Sequence, residues 1–530
     1  MISYNSLKSV MVSLIFLGAC NIIYSQSAVS GIIYSDDNGN GVRDTEEKGI
    51  PRVSVTDGVH VVQTDRKGHY ELPVSEDMII AVIKPSGFSL PVNANNLPQF
   101  YYIHKPMGSP TLKFEGVKPT GSLPESVDFG LKPAEEKDEF TTLIFGDPQP
   151  YTREELAYFE AGVVAEVEGI QDVIFGLSLG DLVGNDLELF EPYIGVMKKA
   201  GIPWFNLMGN HDMNFDAETD NLSDETYESH FGPANYAYNY GKVHFIVLDD
   251  ILYPDPRDQK GYWGGFRPDQ LQFIEEDLKY VSKDHLIVLA FHIPLSEPEG
   301  DSFRDKDREK LFRLLKDFPH TLSLSAHTHI QRQDYMDASS GWLRKEPHHH
   351  FNVGTTSGDW YSGLLNDQGI PVSTMRDGTP KGYVFMKFRG NQYEFDYKVA
   401  GEPEAYQIKV FAPKVIEQGR RSKSGLYANF FVGREGDKVS YRVDGGNWQD
   451  MDYVVAPDPS FVATNLERDT SEILLPGRRA SDAIDCKHLW RGELPFKLSI
   501  GTHKIEIRAV DMFGKEHHAV TEYRIAKSKI

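Results

Sequence analysis

The side chains in this sequence with chemistry to offer fall in five short motifs. These are Asp147 and Gln149; Asp181; Asn210-His211-Asp212; His292; and His327 with His329. Carboxylate and amide oxygens mixed with imidazoles suit borderline divalent ions such as Zn, Fe(II) and Mn. Asp147, Gln149, Asp181, Asn210, His292, His327 and His329 together are too many ligands for one tetrahedral ion. They suit two ions if one carboxylate bridges them, and Asp181 is the expected bridge. Two ions ~3.5–4 Å apart form a clamp for in-line displacement at a phosphoryl centre, with a hydroxide held between them as the expected nucleophile. His211 adjoins a candidate ligand without having to be one, which places it where an acid must protonate the leaving oxygen. Asp212 is expected to orient His211.

Each motif directly follows an apolar run, at 142–145, 173–177, 202–208, 286–291 and 322–326. Short runs of this kind fit strands buried on both faces, although a run alone does not distinguish a strand from a buried helix. As strands of one sheet system, their ends can bring the candidate ligands together, because ligands of α/β sheets gather outside the carboxyl ends of strands. Helical periodicity over 153–170, 190–200 and 268–280 alternates with these runs, so the central region reads as α/β. The Gly- and aromatic-rich stretch 255–266 reads as a loop, and loops positioned by a scaffold commonly carry specificity.

The order Asp-x-Gln, Gly-Asp, Gly-Asn-His-Asp, His, His-x-His resembles the calcineurin-like metallophosphoesterase superfamily over about residues 140–330. The resemblance implies a layered β-sandwich flanked by helices. It places Asp147, Asp181 and His329 at one metal, and Asp181, Asn210, His292 and His327 at the other, with His211 on the catalytic histidine. The chain departs at Gln149, where most members carry His; an amide oxygen is a weaker and harder donor than imidazole. The runs 358–360 and 377–383 resemble a bacterial subfamily with one small β-domain before the catalytic domain and another after it.

A length of 530 residues suggests three or four domains at ~150 residues each. The net charge of −23 argues against a nucleic-acid-binding surface, which carries a basic patch or stripe. An anionic phosphoester substrate must therefore be drawn in by local metals against the global field. Lys8 and the apolar run 10–19 read as an export signal within residues 1–25, too short to span a bilayer. Two cleavage readings stand. Leu17-Gly18-Ala19-Cys20 resembles a bacterial lipobox, which would leave Cys20 lipid-anchored; cleavage after Ser25 would leave Gln26 first. Either places the protein in the periplasm or cell envelope. No later stretch is long and apolar enough for a transmembrane span. Cys486 has no partner in the processed chain, so no disulfide framework is expected.

Residues 28–131 alternate in short runs punctuated by Gly and Pro, as in a small β-sandwich. In its first loop Asp36, Asn38, Asn40, Gly41, Asp44 and Glu47 fall at positions 1, 3, 5, 6, 9 and 12 of an EF-hand-type calcium loop. The flanks are strand-like, so a bare loop holding a structural calcium is expected, similar to the calcium loops of bacterial surface-adhesin repeats. Residues 132–139 read as a charged linker, 132–400 as the catalytic domain, and 401–530 as an all-β domain without chemistry of its own. His348-His349-His350 is either a metal cluster or a packed one. The reading is an exported dimetal phosphoesterase. A second reading, suggested by Gln149 and the calcium-type loop, is an envelope-bound binding or adhesion protein with a weak or degenerate phosphoesterase domain.

Overall fold

The computed structural model describes residues 28–297 and 300–528; the export-signal reading and Cys20 lie outside them. The centre of the chain is a β-sandwich. Its first sheet runs Trp204–Leu207, Phe175–Leu179, Glu139–Phe145, Gly382–Arg389, Gln392–Val399. Its second runs Tyr236–Tyr240, Val243–Val247, Leu286–Ala290, His320–Ser325, His348–Val353, Gln331–Met336. The apolar runs thus split three and two between the facing sheets of the expected layered sandwich. Within each sheet the motif-bearing strands are parallel, so every motif emerges at a carboxyl end. Strand Leu286–Ala290 is buried at every position. That is why its sequence is continuously apolar rather than alternating. Each such Leu, Ile or Val is worth ~1.5–3 kcal/mol on burial.

Helices Arg153–Gly162, Phe190–Met197, Pro268–Asp277 and Asp305–Leu315 flank the sandwich. The first three are shorter than their periodicity suggested. The first two are each followed by a 3₁₀ turn, Val164–Glu166 and Lys198–Ala200, the latter stopped by Gly201 at φ 75°.

Before the sandwich sits a small domain of two four-stranded sheets, with strands Ala28–Ser35 and Met78–Ile83 central to them. The expected linker is not a free tether. Glu136 accepts from the buried Lys84 ammonium at 2.5 Å and from Gly241 N at 2.8 Å, tying the small domain to the sandwich. After the sandwich comes a second β-domain with sheets of four and five strands. It is not purely β. Helix Pro459–Asp469 is capped by Asp458, which accepts from Ser460 N and Phe461 N, with Pro at the first turn.

The triple histidine lies inside strand His348–Val353 and is buried throughout. Ser323 Oγ lies 2.8 Å from His348 Nε2 and 2.7 Å from His350 Nδ1, while Thr321 and Ser325 meet their other ring nitrogens. His349 stacks on Tyr335 at 4.8 Å. Burial holds His348 and His349 down to about 3. All three are packed core histidines: a Ser/Thr row on the adjacent strand satisfies His348 and His350, while His349 Nδ1 meets Tyr393 OH at 2.7 Å. Among the described residues no helix is long and apolar enough to cross a membrane.

Candidate active site

Five side chains of the motifs sit on backbone that ordinary residues avoid. Asp147, Gln149, Asp181, His327 and His329 have φ of 36°, 41°, 49°, 68° and 52°. A left-handed conformation costs a residue with a Cβ roughly 1–2 kcal/mol, and such outliers cluster at functional sites. The strand ends turn this sharply because the loops must aim their side chains back across the mouth of the sandwich. Two glycines make room. A Cβ on Gly180 would lie 2.6 Å from His292 Nδ1, and one on Gly209 would lie 2.2 Å from Asp181 Oδ1. The Gly of each motif is therefore required by close approach to the site itself.

Asp181 is at the centre. Its Oδ1 accepts from His211 N at 2.9 Å, and its Oδ2 lies 3.3 Å from His292 Nε2 and 3.1 Å from Gln149 Nε2. On one side His292 Nε2 is also 3.1 Å from both Asn210 Oδ1 and His327 Nδ1. On the other, Gln149 Oε1 lies 2.9 Å from His329 Nε2. Asp147 accepts from His327 N at 2.9 Å and stands 3.8 Å from His292 Nδ1. All are buried except His327 and His211, which are partly open.

Asp181, His292 and His327 form a candidate metal-binding triad, with ligand atoms within 4.8 Å of one another. The donors fit a divalent ion. Tetrahedral bonds of ~2.0–2.2 Å put neighbouring donors roughly 3.3–3.6 Å apart, close to the separations here. Tautomers are fixed as a metal requires: His292 Nδ1 donates to Leu179 O at 2.8 Å and His329 Nδ1 to Gly358 O at 2.5 Å, freeing each Nε2. The field also favours positive charge. Burial opposes protonation of His292, but Asp181 and then Asp147 lift it to about 10. Burial, with His292 adding, holds His327 down to about 3.

Asp212 does not do what its position in the motif suggested. Its carboxylate accepts from Leu182 N, Val183 N and Gly209 N at 2.9, 3.0 and 2.8 Å, and is fully buried. It clamps the Asp181 and Asn210 loops to each other. His211 is oriented instead by Asn185, whose Oδ1 is 2.7 Å from its Nδ1, with Tyr151 OH at 3.5 Å. An aspartate with three inward-facing amides within reach is better satisfied by them than by a half-exposed ring. Asp212→Ala leaves three buried donors unpaired, each worth ~1–3 kcal/mol. It is expected to lower stability by about 3 kcal/mol or more, read from urea denaturation; a loss under ~1 kcal/mol would refute the clamp.

Sequence reasoning missed several supporting residues. Besides Asn185 and Tyr151, Trp360 stacks on His329 with ring centroids 4.0 Å apart, and Asp250 accepts from His292 N at 3.1 Å. Asn185 had a signal, as a polar residue just past the Gly-Asp turn, and Trp360 lay in the run 358–360 singled out in the sequence. The aromatic loop 255–266 does reach the cluster: Tyr262 meets His327 edge-on at 6.1 Å.

Models of the calcineurin-like phosphoesterase match residues 140–331, those of its N-terminal part residues 37–118, and those of its C-terminal part residues 350–517. The chain belongs to the calcineurin-like phosphoesterase superfamily. Its site is that of a metal-dependent phosphoesterase, and the two β-domains correspond to the accessory regions of that superfamily. No curated protein matches the chain. Similar solved structures include a purple acid phosphatase from yellow lupin seeds (Lupinus luteus), at 13% identity, 67% of this chain, 69% of that chain and TM-score 0.37. Another is the anchor protein of the inner membrane complex of Plasmodium, at 15% identity, 50% of this chain, 86% of that chain and TM-score 0.33.

The C-terminal superfamily region is bound tightly to the site. Asp377 accepts from Gln331 N at 2.8 Å and lies 3.2 Å from His488 Nε2. Asp359 accepts from Ser481 N at 2.7 Å. The runs 358–360 and 377–383 thus join the C-terminal β-domain to the loop that carries His329.

Proposed function

We infer that the chain is an exported phosphoesterase using two divalent transition ions, Mn, Fe or Zn. Asp147, Gln149, Asp181 and His329 would hold one ion; Asp181, Asn210, His292 and His327 would hold the other. The observation that carries this reading is the position of Asp181 Oδ2, 3.3 Å from His292 on one side and 3.1 Å from Gln149 on the other. When bound, such a pair supplies Lewis-acid stabilisation of charge at a phosphoryl centre. The residues do the rest. Asn210 and His327 aim donors at one edge of the site, while Gln149 and His329 do so at the other. His211 is pinned by its backbone to Asp181 and by Nδ1 to Asn185, which leaves Nε2 to deliver a proton to the departing oxygen. Export rests on Lys8 and the apolar run 10–19.

The test is elemental analysis of protein loaded with Mn, Fe or Zn, alongside a panel of monoesters, diesters and pyrophosphates. Two equivalents per chain with hydrolysis of at least one class is expected. One equivalent at saturating metal overturns the two-ion reading.

The N-terminal loop is assigned a structural calcium. Asp36 accepts from Asn40 N and Gly41 N, Asn38 Oδ1 accepts from Asn40 N, and the Glu47 carboxylate accepts from Asp37 N and Asp44 N. The amides of Asn38 and Asn40 both donate to Asp44 Oδ2, at 2.7 and 3.1 Å. No helix flanks the loop. Calcium at about 100 times its Kd adds about 2.7 kcal/mol to the folded state. Addition of calcium to the full chain is therefore expected to raise the melting of its first transition, and Glu47→Gln to remove the rise. An unchanged melting profile would leave the loop a plain turn.

A further inference from the structure

Beside the metal-binding triad lies a cavity of about 580 Å³, reaching from His327 and Trp360 to the C-terminal β-domain, which contributes Asp485 and Lys487 to its wall. Two strands of evidence mark it as part of the site. His327 belongs to the triad, and Trp360 stacks on His329. The wall is also hydrogen-bonded to the ligand loop: Arg376 N donates to His329 O at 3.2 Å, and Arg376 O accepts from Ile484 N at 3.0 Å. Arg376 is thus strung between a candidate ligand and the second domain.

We propose that this cavity receives the leaving group, and that Arg376, supported by Lys487, selects phosphoesters whose leaving group carries a second anionic group. The proposal rests on the phosphoesterase reading above and deepens it to a substrate class. Three cations line the cavity, but they are not equivalent. Arg332 is already committed, its Nε to Asp334 at 2.7 Å and an Nη to Ser296 O at 2.5 Å. Arg376 is not: its Nε is buried and has no hydrogen-bond partner among the described residues. Neither Arg376 nor Lys487 forms an ion pair within 4.0 Å with any described residue. A buried guanidinium nitrogen left unpaired is costly, and a planar fork of donors suits a carboxylate or phosphate.

Two acids share the wall and set the limit of the field. Asp485 is exposed, so solvent screens it. Glu297 is partly buried, and burial raises its carboxyl against the pull of Arg332 and Arg376. With a net charge of −23 over the chain, a second anion on the substrate is tolerated only where local cations face it.

The test uses the full metal-loaded chain and two matched esters, 4-methylphenyl phosphate and 4-(carboxymethyl)phenyl phosphate, whose leaving oxygens are alike. A charge-assisted contact is worth about tenfold or more. The wild type is expected to favour the carboxymethyl ester by about tenfold in kcat/KM, and Arg376→Gln to remove most of that ratio. Equal kcat/KM for the two esters in the wild type, or a ratio that survives Arg376→Gln, overturns the proposal while leaving the phosphoesterase intact. Hydrolysis of neither ester counts against the function itself, and calorimetry then decides on the cavity. Tighter binding of 4-hydroxyphenylacetate than of 4-methylphenol, lost in Arg376→Gln, sustains it; equal binding overturns it. Should Arg376→Gln fail to fold, Lys487→Gln carries the same comparison.

Discussion

Asp181→Ala is expected to release bound metal and to abolish hydrolysis of every phosphoester together, whatever the leaving group. The Asp181 carboxylate touches both halves of the candidate ligand set and also accepts the His211 backbone amide. No other carboxylate can substitute. Asp147 is turned toward His327 N, and Asp212 is fully engaged by three amides on the far side of the loop. Losing a partner one shell away from a metal typically costs ~10–100-fold. A ligand shared by two ions should cost more than about 100-fold, in metal content and turnover alike. Alanine also removes an acceptor from buried Gln149, so Asp181→Asn is the informative companion. It preserves shape and an oxygen for His211 N but not the charge. Retention of both ions and most of the turnover by Asp181→Asn would mean that Asp181 is not shared.

The candidate ligands were legible because chemistry restricts residue type more tightly than folding does. Polar donors placed directly after runs such as 286–291 have few structural uses, and five such placements in family order have fewer. The geometry that makes them work was not legible. The division of the runs between two sheets depends on long-range pairing, such as Glu139–Phe145 against Gly382–Arg389, more than 200 residues later. Asn185 and Trp360 reach the site through loop paths that local pattern does not encode. Asp212 shows the opposite difficulty. Its neighbour in sequence, His211, suggested a partnership, but adjacent residues on a tight loop point apart, and two of its three amides, Leu182 N and Val183 N, came from the upstream Asp181 loop.

The C-terminal domain illustrates a signal present but outweighed. Asp458-Pro459 marks a helix start by capping and by the fixed φ of proline. The surrounding alternation favoured strands, and the helix Pro459–Asp469 was absorbed into them. That the domain carries no chemistry of its own was likewise an expectation from its composition. On the proposal above, the cavity wall supplied by Asp485 and Lys487 would give it a part in the site, because residues of the strand Asp485–Gly492 are brought beside His329 through Arg376.

His211→Ala, in contrast to Asp181→Ala, is expected to leave both ions bound and to lower turnover by ~10²–10⁴-fold, the usual cost of losing a general acid. Its ring is held by Asn185 at 2.7 Å and faces Tyr151 edge-on at 5.7 Å, while only its backbone reaches Asp181. Removing the side chain therefore subtracts a proton donor without subtracting a ligand. The loss should depend on the leaving group. A nitrophenolate departs without a proton, so its ester should be damaged least; an alkyl alkoxide cannot, so its ester should be damaged most. Asn185→Ala should shift turnover in the same order but by less, because the ring remains and only its orientation is freed. Equal losses across good and poor leaving groups, with metals intact, would rule out proton delivery. His211 would then be a hydrogen-bond donor that positions the phosphoryl oxygens, and Asn185 would matter equally for every ester.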